Sequence, residues 1–158
     1  MNNNIIEIEL NNKKDYKNKF NNNRISEELD RYILNETKSV KLKDRITIEI
    51  QPKFELTEDE ERDLIKMIRL SYKDDLDELK IYEKLLIQQS IKILILGLII
   101  LLVYYLSNNL FFISEFILII GWLLIWEAAD IILFSRTENK IKQTRRKQLI
   151  HCNIVFKY

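Results

Sequence analysis

Residues 91–134 read IKILILGLIILLVYYL, then SNN, then LFFISEFILIIGWLLIWEAADIILF. A helix rises about 1.5 Å per residue and a bilayer's hydrocarbon core is about 30 Å thick, so a span needs about 20 apolar residues. The second run, residues 110–134, meets that requirement. The first, residues 91–106, reaches full length only if Leu85, Leu86 and Ile87 are counted with it, or if the bilayer thins around it. From Ile93 to Leu106 no residue is charged. A helix on the surface of a soluble bundle would carry a polar face along its length, which disfavours a pair of buried soluble helices. The stretch therefore predicts a transmembrane hairpin turning at the external loop 107–109.

Working outward, residues 135–158 carry seven Lys/Arg against one Asp/Glu, although the whole chain is nearly neutral at +1. The basic excess where the second span leaves the bilayer predicts, by the positive-inside rule, that both termini are cytoplasmic. No basic and apolar leader opens the chain, so the first span is expected to act as the insertion signal.

On the N-terminal side, Ile6, Ile8 and Leu10 alternate with Glu7 and Glu9, and Ile46, Ile48 and Ile50 alternate with Arg45, Thr47 and Glu49. Both are period-2 strand patterns, the second stopped by Pro52. Between them, Ser26 followed by Glu27-Glu28 and then Leu29, Ile33 and Leu34 predicts a short helix ending near Asn35. Thr57-Glu58-Asp59-Glu60 is a capping box. No Gly or Pro follows until Gly97, so one helix is expected from Thr57 through Leu106, with Ile65, Ile68, Tyr72, Leu79, Tyr82 and Leu86 on its seam and Asp75 breaking it once. Ser135-Arg136-Thr137-Glu138 reads as a second capping box that opens a basic helix. Ile150, Cys152, Ile154 and Phe156 then read as a third strand, with His151 pointing outward.

The expected fold class is thus an α+β membrane protein: a two-helix transmembrane hairpin plus a small cytoplasmic domain of about three strands and helices, built from both chain ends. Its parts are residues 1–56 (N-terminal half of the cytoplasmic domain), 57–90 (stalk helix), 91–106 (first span), 107–109 (external loop), 110–134 (second span) and 135–158 (basic helix and closing strand).

Charge inside an apolar span is costly, about 2.5–3.5 kcal/mol for a central Asp on insertion scales. Glu127 and Asp130 lie within about a third of the helix circumference, beside Trp122 and Trp126, so they are candidates to line a water-filled, cation-attracting path in an oligomer. Glu115 is near enough to the outer boundary to sit among headgroups. An alternative stays open for the other two: Lys92 starts the first span at similar depth and could neutralise Glu127 or Asp130, with the tryptophans as interfacial anchors. The basic residues Lys140, Lys142, Arg145, Arg146 and Lys147 are placed to meet anionic lipid headgroups. They, or Lys13, Lys14, Lys17, Lys19 and Arg24, could instead hold nucleic-acid phosphates. One cysteine, Cys152, and one histidine, His151, leave no intrachain disulfide and no dedicated zinc set. No phosphate-binding loop, dinucleotide fingerprint or nucleophile elbow is present, so neither an enzyme nor a cofactor is expected.

With Gly121-Trp122, Trp126, Asp130 and Leu133-Phe134 in view, the chain resembles a family of small bacterial two-span membrane proteins whose second span carries Gly-Trp-x-x-x-Trp-x-Pro-x-Glu-x-x-Leu-aromatic. That family includes the membrane effectors of the Hailong anti-phage defence system. The likeness extends to an N-terminal strand, a Phe-Asn loop at Phe20-Asn21, the long helix and the closing strand. It implies a homo-oligomeric channel, a tetramer being one expected form. Its cytoplasmic domain would be held shut by single-stranded DNA oligomers made by a partner nucleotidyltransferase, and release would kill the infected cell. Ala128 stands where the family has proline, which puts the pore geometry in doubt, and Asn22-Asn23-Arg24 departs from the family's acidic loop. The alternative of another class is a non-conducting membrane adaptor that recruits a cytosolic partner.

Overall fold

The computed structural model describes residues 4–21, 23–106 and 111–158; the external turn 107–109 lies outside them. Three strands, β1 (Ile5–Leu10), β2 (Thr47–Pro52) and β3 (Asn153–Phe156), form one sheet in the order β1-β2-β3. Both pairings are parallel, with Ile6 opposite Ile48 and Ile48 opposite Ile154. Parallel neighbours need a long crossover, so each strand must be separated by helix in the sequence. The first crossover carries α1 (Glu27–Glu36). The second carries everything from α2 (Glu58–Leu106) through α3 (Phe111–Asp130) to α4 (Arg136–Ile150). Burial follows position in the sheet: β1 alternates buried and exposed residues, while central β2 buries Ile48, Glu49 and Ile50 in succession. Glu49 is tolerated there because Lys157 pairs with it.

The helix starts carry the expected caps. The Leu29 amide donates to Ser26 Oγ at 3.3 Å. The Glu60 amide donates to Thr57 Oγ1 at 3.3 Å and the Thr57 amide to Glu60 Oε2 at 3.2 Å, a reciprocal capping box. Leu64, Ile68 and Tyr72 of α2 are fully buried against Ile6, Ile8, Ile48, Ile50, Leu149 and Cys152. The seam therefore begins at Leu64 rather than Ile65, which is only half-buried, and Tyr82 is exposed.

Two expectations at the C-terminal side change. Ser135–Glu138 caps nothing: a π-helical turn, Ile131–Ser135, joins α3 to α4 without a break, and Thr137 Oγ1 donates back to the Leu133 carbonyl at 2.6 Å. With no Gly or Pro to stop it, the helix absorbs an extra residue instead of ending. Strand β3 begins at Asn153; Ile150 closes α4 and exposed His151 lies in the turn between.

The chain divides into two compact units, residues up to Glu78 with Lys142–Tyr158, and Leu79–Ile141. The first is the sheet with its helices. The second contains apolar helix long enough to cross a membrane, in both α2 and the α3–α4 helix.

Within the first unit, Asp75 is a hub. Arg146 Nε lies 3.0 Å from Asp75 Oδ2, Arg24 reaches Asp75 at 3.8 Å, and the Arg146 guanidinium stacks 5.7 Å from the Tyr72 ring centre. The fully buried Tyr72 hydroxyl lies beside Asp30 without a well-aligned hydrogen bond for it or for Asp30 Oδ1. Burial pushes both groups above their ordinary pKa values, with Arg146 opposing the rise at Asp30. A carboxyl raised on folding favours the native state only while protonated, so its contribution is lost as pH rises through the folded value. Asp30→Asn should therefore raise the melting temperature of the purified protein at pH 8. The gain should shrink to nothing below about pH 4, where the unfolded carboxyl is also protonated; a gain independent of pH would contradict this account.

Candidate functional site

The second unit is built on four rungs. The Asn139 amide donates to the Leu79 carbonyl at 3.0 Å, Arg136 Nε pairs with Glu83 at 3.0 Å, and Ser90 Oγ donates to the Ala128 carbonyl at 3.2 Å. At the fourth, a Cβ added to Gly97 would lie 3.2 Å from the Gly121 carbonyl oxygen. Ser90, Gly97, Gly121 and Ala128 are all buried. Small residues let two apolar helices approach closely, with Leu101, Leu124 and Ile125 packed around the two glycines.

That arrangement decides where the sequence-predicted residues go. Taking Gly121 and Ala128 as the seam and about 100° per residue, Asp130 lies about 170° round the helix, on its back, with Trp126 close to it and Glu127 and Trp122 to either side. Trp122 and Trp126 are 53% and 68% exposed, and Glu115, Glu127 and Asp130 are exposed too. The acids do not mark the end of the apolar surface. Ile119 and Leu123 are exposed on one side of them and Leu133 and Phe134 on the other. The rungs place Lys92 level with Trp126 and Glu127, as the sequence implies, but Lys92 is exposed on the back of α2. Among the described residues it forms no ion pair with Glu127 or Asp130, so the intrachain neutralisation left open above is not what the structure shows.

The predicted phosphate-binding residues are not brought together as one surface. Lys13 pairs with Glu60, Arg24 with Asp74 and Asp75, Arg145 with Gln148, and Arg146 with Asp75. Lys140 and Lys142 are exposed, each already engaged in an interaction of its own. Lys14, Lys17 and Lys19 surround Phe20, which is 98% exposed, in a shallow cleft that also contains Glu27 and Glu28. Lys147 instead joins Lys43, Arg45, Arg69 and His151 around a cleft of about 870 Å³, where Asp44 is the one acid. Residues 43, 45 and 69 were not singled out by the sequence. None belongs to a recognisable binding motif there, and only the parallel crossover places them beside α4.

The two glycines differ as targets. A Cβ at Gly121 meets Leu101 Cδ2 at 2.6 Å and Cγ at 2.8 Å, atoms of one side chain that would have to change rotamer, whereas at Gly97 it meets the Gly121 carbonyl and the Leu124 Cβ at 3.2 and 3.1 Å. Gly97→Ala should lower the melting temperature of the detergent-solubilised protein by more than Gly121→Ala, a cost on the order of 1–3 kcal/mol, because backbone and Cβ atoms cannot move aside as the Leu101 side chain can. Equal effects would show that backbone approach is not the constraint.

No family model, curated protein or solved structure matches the chain.

Proposed function

We propose that the protein is a homo-oligomeric, cation-conducting channel of the bacterial inner membrane, an effector of anti-phage defence held closed at rest by its cytoplasmic domain. The observation that carries the reading is the position of Glu127 and Asp130, exposed within an apolar belt and, among the described residues, forming no ion pair with Lys92. Facing lipid, each would cost a few kcal/mol. Facing a water-filled path made by several copies, they keep their hydration and draw cations to its inner mouth. Trp122 and Trp126, on the same side, pack neighbouring hairpins. The basic excess of residues 135–158 supports cytoplasmic termini. The cleft of Lys43, Arg45, Arg69 and Lys147 supports an anionic gating ligand, with phosphates of a short single-stranded DNA as the occupant the resemblance implies.

Dye-reported membrane potential tests the reading when the chain is induced alone, with and without Asp130→Asn. The wild type should depolarise the membrane. The variant, inserted and assembled to the same level, should do so at least about tenfold more slowly, since a carboxylate at the mouth concentrates cations. Equal depolarisation by the variant would remove Asp130 from the path. A membrane polarised throughout, with and without a neighbouring nucleotidyltransferase supplied in trans, would favour the non-conducting adaptor.

A further inference from the structure

Lys92 and the pair Glu127–Asp130 share a depth and face opposite ways. From Gly97, Lys92 is five residues back and lies about 140° round α2; Asp130 lies about 170° round from the seam of its own helix. Interpolation between Ser90–Ala128 and Gly97–Gly121 sets Lys92 level with Trp126 and Glu127. Asp130 is about 6 Å further toward the cytoplasmic side than Lys92, level with Gln88 and within reach of a lysine's four-carbon stem. One back of the hairpin is therefore positive and the other acidic: Ile91, Ile95 and Ile99 are exposed around Lys92, with Gln88 and Gln89 exposed on its cytoplasmic side, and Leu123 and Leu133 are exposed around the acids.

Copies of one membrane protein share an orientation, so like residues of neighbouring copies stand at like depth. A two-fold contact through either back would oppose Lys92 to Lys92 or Asp130 to Asp130. A head-to-tail contact opposes unlike charges at every interface, and head-to-tail contacts that close generate rings. We infer that hairpins associate head-to-tail, the Lys92 back of α2 in one copy lying against the acidic back of α3 in the next, with Lys92 completing the Glu127–Asp130 site across the interface. The partner is a second copy of this chain, chosen by charge complementarity at matched depth. The inference rests on the oligomeric reading above and adds to it which faces meet.

Oxidative cross-linking in native membranes tests it, with Cys152→Ala as background because that residue is the chain's one cysteine. Two differently tagged copies carry Lys92→Cys and Asp130→Cys respectively. Mixed-tag dimers should form on oxidation, neither variant should dimerise with itself, and a chain carrying both substitutions should give a ladder of oligomers. Gln88→Cys against Asp130→Cys is a second pair on the same two faces, guarding against a fault particular to Lys92→Cys. Separately, Lys92→Asp or Asp130→Lys alone should reduce the assembled fraction at least tenfold, and the two together should restore it. Self-dimers as strong as the mixed product, or absence of mixed product for both cysteine pairs, would overturn the inference. Mixed cross-links without depolarisation leave the head-to-tail contact standing and remove the channel. Depolarisation without them does the reverse.

Discussion

The close approach of two helix backbones governs the membrane-length half of this chain. The sequence has two glycines, and both lie on that contact, with Ser90 and Ala128 two turns away. Neither is there for conformational freedom: no described residue has a positive φ. Their use is steric, removing the Cβ atoms that would hold α2 and α3 apart. Were the pair in lipid, no hydrophobic force would draw one apolar helix to the other, and dispersion across a tight seam with a few hydrogen bonds would have to hold it. Ser90 and the Arg136–Glu83 pair supply polar bonds beside the glycine contact. Because the seam uses small side chains, both tryptophans and many of the large aliphatic side chains are left exposed, as are Lys92, Glu127 and Asp130.

The sheet-bearing unit depends on a different constraint, the parallel sheet. A strand can be parallel to its neighbour only if the chain returns to the same end before entering it, and here the second return passes through both long apolar helices. Removing β3 would leave β2 without its outer neighbour and Glu49 without Lys157. The last residues of the chain thus complete a sheet begun by the first ones, which ties assembly of this unit to completion of the hairpin.

Much of this was legible in residue periodicity. The alternation at Ile6–Leu10 and Ile46–Ile50, the Ser26 and Thr57 caps, and the apolar runs each state a local preference that the structure keeps. What failed to show was anything set by distant partners. Asp75 looks like a flaw in an apolar seam until Arg146 and Arg24 are seen converging on it. Arg146 looks like part of a lipid-facing basic run, yet it is committed to Asp75 and Tyr72. The mark that separates it from Lys147, one residue on, is its phase on α4, and phase was uncertain because the π-helical turn at Ile131–Ser135 adds a residue just before. The acids of the second apolar run stood out in the sequence by the cost that their position would carry in a span. Their separation from Lys92 did not, since matched depth is readable from sequence but the facing of two helices about a seam is not.

The charge count of the hairpin links the proposed assembly to the proposed selectivity without any assumption about the number of copies. Each hairpin brings one cation, Lys92, and two acids, Glu127 and Asp130, to a common layer. In a closed head-to-tail ring there are as many interfaces as copies, so every Lys92 is used once and one carboxylate per copy remains unpaired. A ring of n copies then carries about n negative charges at one depth, close enough in a low-dielectric surround to raise the local cation concentration strongly. A two-fold dimer would bury like charges together and gain no such ring. The excess of one acid over one base is thus what would make the same layer serve both as the adhesive between copies and as the cation-selective mouth.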